Sequence, residues 1–138
     1  MYEYQHFSFL NASNKNISSF FSGNEARELI TESATAFAIY DKFPVSNGHA
    51  LIIPKKLIAN FFNLSFHEQT ACIIVLNRTK SIIQKKFNPS GFNIGINIGK
   101  DAGQTIFHSH IHLIPRYKGD VIDPKGGIRN IFLNLVII

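Results

Sequence analysis

Between residues 91 and 99 the chain alternates without a break. Phe92, Ile94, Ile96 and Ile98 fall on one side, and Asn93, Gly95 and Asn97 on the other. Period two predicts a strand with one face in the core. A short link over 100–103, containing Gly103, leads to another predicted strand over 105–115, so the two should form a hairpin. Upstream, 35–40 reads as a strand ending at Asp41. Pro44, Ser46, Asn47 and Gly48 read as a turn, and 49–53 as the next strand, stopped by Pro54. Ser65 followed three residues later by Glu68 is a capping box. Beyond it Ala71, Ile74, Val75, Ile82 and Ile83 recur at helical spacing to about Phe87, which predicts the longest helix. A short helix is predicted over 25–31, and residues 1–24, rich in Asn and Ser, read as a loosely docked extension. The order strand, strand, helix, strand, strand predicts an α+β domain: an antiparallel sheet with one long and one short helix packed on it.

The bulk numbers narrow the class. A chain of 138 residues fits one domain over 1–138, and 45% hydrophobic with 17% charged residues is ordinary for a soluble protein. No stretch approaches the roughly 18 apolar residues a membrane span needs, and the apolar run 131–138 is far too short. Residues 1–20 lack a basic start followed by an apolar run, so no signal peptide and a cytoplasmic setting are expected. The net charge of +5 gives mild attraction for anions. Its Lys and Arg residues are dispersed, which disfavours a nucleic-acid partner. Cys72 is the one cysteine, so an intrachain disulfide and a cysteine zinc site are both excluded. It sits in an apolar helical pattern and should be a buried, inert thiol. Lys55 and Lys56 close a predicted strand and are expected to face solvent.

Chemistry concentrates in one place. Half of the six histidines occupy the five residues His108-Ser109-His110-Ile111-His112. On a strand the three would share a face. Phe107, Ile111, Leu113 and Ile114 embed the row in apolar sequence, which argues against a solvated polar edge. A metal site is a minority reading: on a straight strand His108 and His112 lie about 13 Å apart, too far for one zinc with ligands at about 2.0–2.1 Å. A His-x-His pair with a distant third ligand remains open. The third reading is a row matched to an elongated anionic ligand. There a neutral imidazole attacks phosphorus while its neighbours donate to phosphate oxygens or to the leaving group.

The segment Ala102-Gly103-Gln104-Thr105-Ile106-Phe107-His108-Ser109-His110-Ile111-His112-Leu113-Ile114-Pro115-Arg116 resembles the signature of the histidine triad (HIT) family. Residues 37–41 and 44–56 resemble that family's first hairpin, and 91–99 its penultimate strand. The resemblance implies that His110 is the nucleophile, forming a nucleotidyl-histidine intermediate. It implies that His112 interacts with the phosphate and assists the leaving group, that His108 orients the array, and that His49 supports it from outside the row. Asp41 would bind the ribose hydroxyls, and Asn97, Gln104 and Thr105 would surround the phosphate. The implied reaction is hydrolysis or nucleotidyl transfer at an α-phosphate of dinucleoside polyphosphates or nucleoside phosphoramidates. It implies no protein-bound metal or cofactor, with a substrate-bound Mg²⁺ allowed, and a homodimer whose sheets join.

Having His112 rather than Gln at the third position resembles the hydrolase branches, and the bacterial-type members in particular. Ser109 replaces the usual apolar residue between the first two histidines, where packing rather than chemistry should change. The segment from Arg116 to Arg129 resembles an arm of some bacterial members, whose basic residues reach distal phosphates or simply lie in solvent. The apolar end 131–138 reads as a strand or a subunit contact. Two other function classes stay open: a nucleotide-binding or interaction module without turnover, and a metal-binding protein using the histidine row. His6 and His67, each isolated, read as surface residues.

Overall fold

The computed structural model describes residues 28–132. The predicted N-terminal extension, His6 and all but two residues of the apolar end lie outside the described residues. Five strands, β1 (Leu29–Glu32), β2 (Ala36–Tyr40), β3 (Ala50–Pro54), β4 (Gly91–Gly95) and β5 (Ile111–Arg116), form one sheet in the order β1-β2-β3-β5-β4. Every neighbouring pair is antiparallel. With the long helix α1 (Phe66–Phe87) across one face, the domain is the α+β fold expected. Among the described residues no helix is long and apolar enough to cross a membrane.

The helix starts where the sequence says it must. Ser65 Oγ accepts from the Glu68 N–H at 3.1 Å, and the Glu68 carboxylate accepts from the Ser65 N–H at 2.7 Å, so the capping box is complete. It ends at Asn88, which takes the left-handed conformation at φ 51°. Ala71, Cys72, Val75, Leu76, Thr79 and Ile83 line its buried stripe. The stripe packs on Ala36, Ala38, Ala50, Ile52, Ile111 and Leu113 of the sheet. The four small alanines let α1 settle close to the strands. Cys72 is fully buried there, and burial pushes its thiol up to about 12, which makes it the inert residue expected.

Three expectations change. Residues 29–31, expected in a helix, form β1 instead: paired with β2, they satisfy their backbone in the sheet, and Ile30 and Thr31 are β-branched. The alternating run after Gly91 stays in the sheet only to Gly95. The link to β5 is then long, holds a short 3₁₀ turn at Lys100–Ala102, and is no tight hairpin. Lys55 does not face solvent; it is mostly covered and pairs with Glu32 at 3.0 Å, whereas Lys56 is exposed as expected.

Candidate active site

Strand alternation divides the sheet into two faces. Even-numbered residues of β2 and β3, with Ile111 and Leu113, face α1. Phe37, Ile39, Leu51 and Ile53 build a second cluster on the opposite face, with His112 paired across from Leu51. One step beyond the β2–β3 ladder, the Asp41 N–H donates to the His49 carbonyl at 2.9 Å. The same alternation therefore puts Asp41, His49 and His112 together on the face away from the helix. The connecting turn is tied to β5 by Ser46 Oγ donating to the Pro115 carbonyl at 2.7 Å and Tyr117 Oη donating to the Asn47 carbonyl at 2.6 Å. Gly48, at φ +85°, closes that turn where an L side chain is strained, and a Cβ there would stand 2.8 Å from the Phe87 ring.

The hydrogen bonds of this cluster fix which nitrogen carries each proton. The Val45 backbone N–H can only donate, and it donates to His49 Nδ1 at 3.2 Å. Neutral His49 therefore carries its proton on Nε2. That proton points to Nδ1 of His112, 3.0 Å away, with Asp41 Oδ2 beside it at 3.4 Å. His112 Nδ1 is then an acceptor, and its own proton sits on Nε2. Burial lowers the proton affinity of His49 against the pull of Asp41. Burial, and then the neighbouring His110 and His49, bring His112 down to about 4, so both rings are neutral near pH 7.

Asp41, His49 and His112 bring one donor atom each within 4.8 Å of one another, a spacing that suits a metal. The proton positions speak against one. A metal-bound histidine offers a lone pair to the ion and donates from its other nitrogen, whereas His49 has its proton on the inward nitrogen and accepts on the other. The cluster is a hydrogen-bonded array.

Only His112 of the histidine row lies on β5; His108 and His110 precede the strand. The segment that carries them is pinned instead to the chain just after β3. His108 is fully buried, its Nε2 donates to the Pro54 carbonyl at 2.6 Å, and the Ser109 N–H donates to the Ile58 carbonyl at 2.7 Å. Burial lowers the His108 pKa, opposed by that bond to Pro54. The His108 carbonyl accepts from His110 Nδ1 at 2.8 Å, which places the lone pair of a neutral His110 on Nε2. The His110 and His112 rings stand edge to face, 5.0 Å between centroids.

The expected phosphate-side residues separate. Asn97 lines a cavity of about 650 Å³ together with His49 and His112. Gln104 is buried and holds the loop: its amide accepts from the Gly99 N–H at 2.9 Å and donates to the Ala59 and Ile106 carbonyls. Thr105 is exposed and is not among the residues lining that cavity. Asp41 keeps one oxygen on the Phe43 N–H at 2.9 Å and the other toward the two histidines. The basic residues of the arm stay clear of the cavity: the Arg116 fork is held by Asp120 and Asn93. Isolated His67 is exposed at the start of α1.

Several contributors carry no signal in the side-chain pattern. The Val45 N–H and the Pro54 and His108 carbonyls act through the backbone, which any residue supplies. The cavity wall made by Ile128, Ile131 and Phe132 was legible only as two apolar positions three apart followed by an aromatic.

The site and fold together define a histidine-triad domain, and residues 22–119 match the model of the HIT domain family. The chain belongs to the HIT family. It is 35% identical over 96 residues to a HIT-like protein of Mycoplasma pneumoniae, covering 70% of this chain and 67% of that protein. It is 37% identical to a bis(5'-adenosyl)-triphosphatase of Dictyostelium discoideum over 67% of this chain and 62% of that protein. Among solved structures, a HIT family protein of Bacillus anthracis superimposes with a TM-score of 0.69 at 34% identity, covering 78% of this chain and 77% of that one.

Proposed function

We propose that this protein is a hydrolase of the HIT family that cleaves a nucleotide at its α-phosphorus through a nucleotidyl-histidine on His110. The observation that carries this is the opposed pair of ring nitrogens. The His108 carbonyl holds the proton of His110 on Nδ1 and leaves Nε2 as the attacking lone pair. The His49 contact leaves His112 with a proton on Nε2 to donate.

The reaction runs in two steps. The anionic substrate raises the proton affinity of His112. As the added proton settles on Nδ1, the His49 Nε2–H turns from that nitrogen to Asp41 Oδ2, 3.4 Å away, and the same carboxylate oxygen faces the new N–H across 4.0 Å in the free protein. His110 Nε2 bonds to the α-phosphorus, the bond from phosphorus to the leaving atom breaks with its electron pair, and His112 Nε2 gives its proton to that atom. Water then bonds to phosphorus and passes its proton back to His112 Nε2 as the nitrogen–phosphorus bond breaks, releasing the nucleoside monophosphate. Asp41 balances the imidazolium, and its remaining lone pairs suit a ribose hydroxyl. The family resemblance assigns Asn97 and Thr105 to the phosphate, and of the two Asn97 shares a cavity with His112. Gln104 and His108 act by holding the loop and the His110 ring. Two copies are expected to join their sheets into one.

The Dictyostelium relative is named for a diadenosine triphosphate and a Schizosaccharomyces pombe relative for a dinucleoside tetraphosphate. Both substrates present such an α-phosphorus, as does an adenosine 5'-phosphoramidate. The test is hydrolysis of diadenosine tetraphosphate and adenosine phosphoramidate by wild type beside His110→Ala. AMP release that falls by well over about 10⁴-fold in the variant is expected; near-normal release would sink the assignment.

A further inference from the structure

The turn between β2 and β3 sets the proton pattern of the site, yet packing holds little of it. Phe43 and Val45 are 70% and 72% exposed, and the β3–β5 ladder has its last pair at Ala50 and Leu113, before the turn is reached. Past that pair Pro115 has no N–H to offer a neighbouring strand. Two side-chain hydroxyls continue the connection instead: Ser46 Oγ donates to the Pro115 carbonyl at 2.7 Å and Tyr117 Oη to the Asn47 carbonyl at 2.6 Å. Ser46 also reaches the histidine directly, since its carbonyl accepts from the His49 N–H at 3.1 Å. Tyr117 is itself anchored. Its N–H donates to Asp120 Oδ2 at 2.9 Å, and the same carboxylate holds the Arg116 guanidinium.

We propose that Tyr117, with Ser46, is a latch that holds this turn against β5 and keeps the Val45 N–H on His49 Nδ1. Tyr117 is thereby a positioning residue for the proton that His112 gives to the leaving group. The consequence for catalysis rests on the reaction proposed above; the latch itself does not. Bond lengths set which contact yields first. The Val45 bond, at 3.2 Å, is at the long limit for an N–H donor, whereas the two hydroxyl bonds are short. A drift of roughly 0.3 Å in the turn therefore breaks the Val45 bond. With that N–H withdrawn, neutral His49 can carry its proton on Nδ1. Its Nε2 then accepts from His112 Nδ1, 3.0 Å away, and the nitrogen of His112 that meets the leaving atom is left bare. The chain that presents His112 on β5 thus supplies, just past the end of that strand, the hydroxyl that fixes where the His112 proton sits.

The experiment uses the full chain, wild type beside Tyr117→Phe, Ser46→Ala and the double variant, with thermal melts to show that each is folded. Two compounds separate proton delivery from the rest of the step. Adenosine 5'-phosphoramidate needs a proton on its departing nitrogen, whereas the para-nitrophenyl ester of AMP loses a stable phenolate without one. In Tyr117→Phe, kcat for the phosphoramidate should fall about tenfold and for the nitrophenyl ester by less than about threefold, with KM little changed. The double variant should widen that gap. NMR of isotopically labelled ring nitrogens reads the latch without turnover. Wild type at about pH 7 should show His49 and His112 both protonated on Nε2, and the variants a mixture with Nδ1. Equal losses on the two compounds, no loss in the double variant, or a proton pattern unchanged in it would overturn the latch. If wild type cleaves neither compound, the proposed reaction fails on its own. The proton pattern then decides alone: a mixture in the variants upholds the latch, and an unchanged pattern refutes it.

Discussion

His49 Nε2 donates to His112 Nδ1 across 3.0 Å, and His49 can do so only because the Val45 N–H occupies its other nitrogen. A backbone amide in a turn thus sets, two rings away, which nitrogen of His112 presents a proton to the substrate. His49 touches no reacting atom in this account and works as a positioning residue.

Replacing it should separate positioning from packing. For His49→Gln, whose side-chain amide can still donate to His112 Nδ1, kcat should stay within about tenfold of wild type. For His49→Leu it should fall on the order of 10²-fold with little change in KM. Steady-state kinetics of the two folded variants checks this, and equal losses in both would reduce His49 to a packing role.

Stability should fall in acid through these same rings. The His112 imidazole takes a proton at about 4 in the folded chain against an ordinary 6.5, and His49 and His108 are lowered in the same direction. Below 6.5 the unfolded chain binds protons that the native one refuses, so stability is fully present above that value and is lost as pH falls toward 4. His112 alone accounts for roughly 3 kcal/mol across that window, at about 1.4 kcal/mol per pH unit. Urea unfolding from pH 7.5 to 4.5 tests the sign; in His112→Gln the slope should be shallower.

Ser109 carries a cost the sequence could not reveal. It is 1% exposed, and among the described residues its Oγ has no hydrogen-bond partner. Ser109→Ala removes a stranded hydroxyl at little loss of volume and should stabilise the fold by about 1 kcal/mol, raising the Tm by a few degrees. A lower melting temperature would mean the hydroxyl is satisfied in solution.

Gly48→Ala should act in the opposite sense. Its φ of +85° and the Phe87 ring 2.8 Å from a new Cβ together predict a loss of more than about 1–2 kcal/mol. Because the turn it closes delivers His49, activity at a permissive temperature should fall as well.

Much of this was legible in the chain, and the failures have physical causes. The capping box and the long helix it starts are local patterns, although Ile74 and Ile82 of the predicted stripe are exposed. Asp41, His49 and His112 were grouped only by the family resemblance, and it is the register of three strands that brings them together. Residues 29–31 became a strand because β2 offered an unpaired edge, a tertiary fact that no window of sequence contains. The histidine row kept its period of two in sequence but left the ladder before Ile111, because bonds from His108 to Pro54 and from Ser109 to Ile58 hold it elsewhere. Gln104 looked like a phosphate contact by resemblance and has its amide engaged by the loop. Backbone donors and acceptors, which decide the proton positions here, leave no mark on residue identity.

The central claim is a covalent bond to His110, and intact-mass analysis tests it most directly. Wild-type protein mixed with adenosine phosphoramidate and quenched in alkali, where a phosphorus–nitrogen bond to histidine survives, should show one added adenylyl group per chain. Peptide mapping should place it on His110, and His110→Ala should show none. Turnover by the wild type with no adduct under rapid quench, or an adduct on any other residue, would contradict the account.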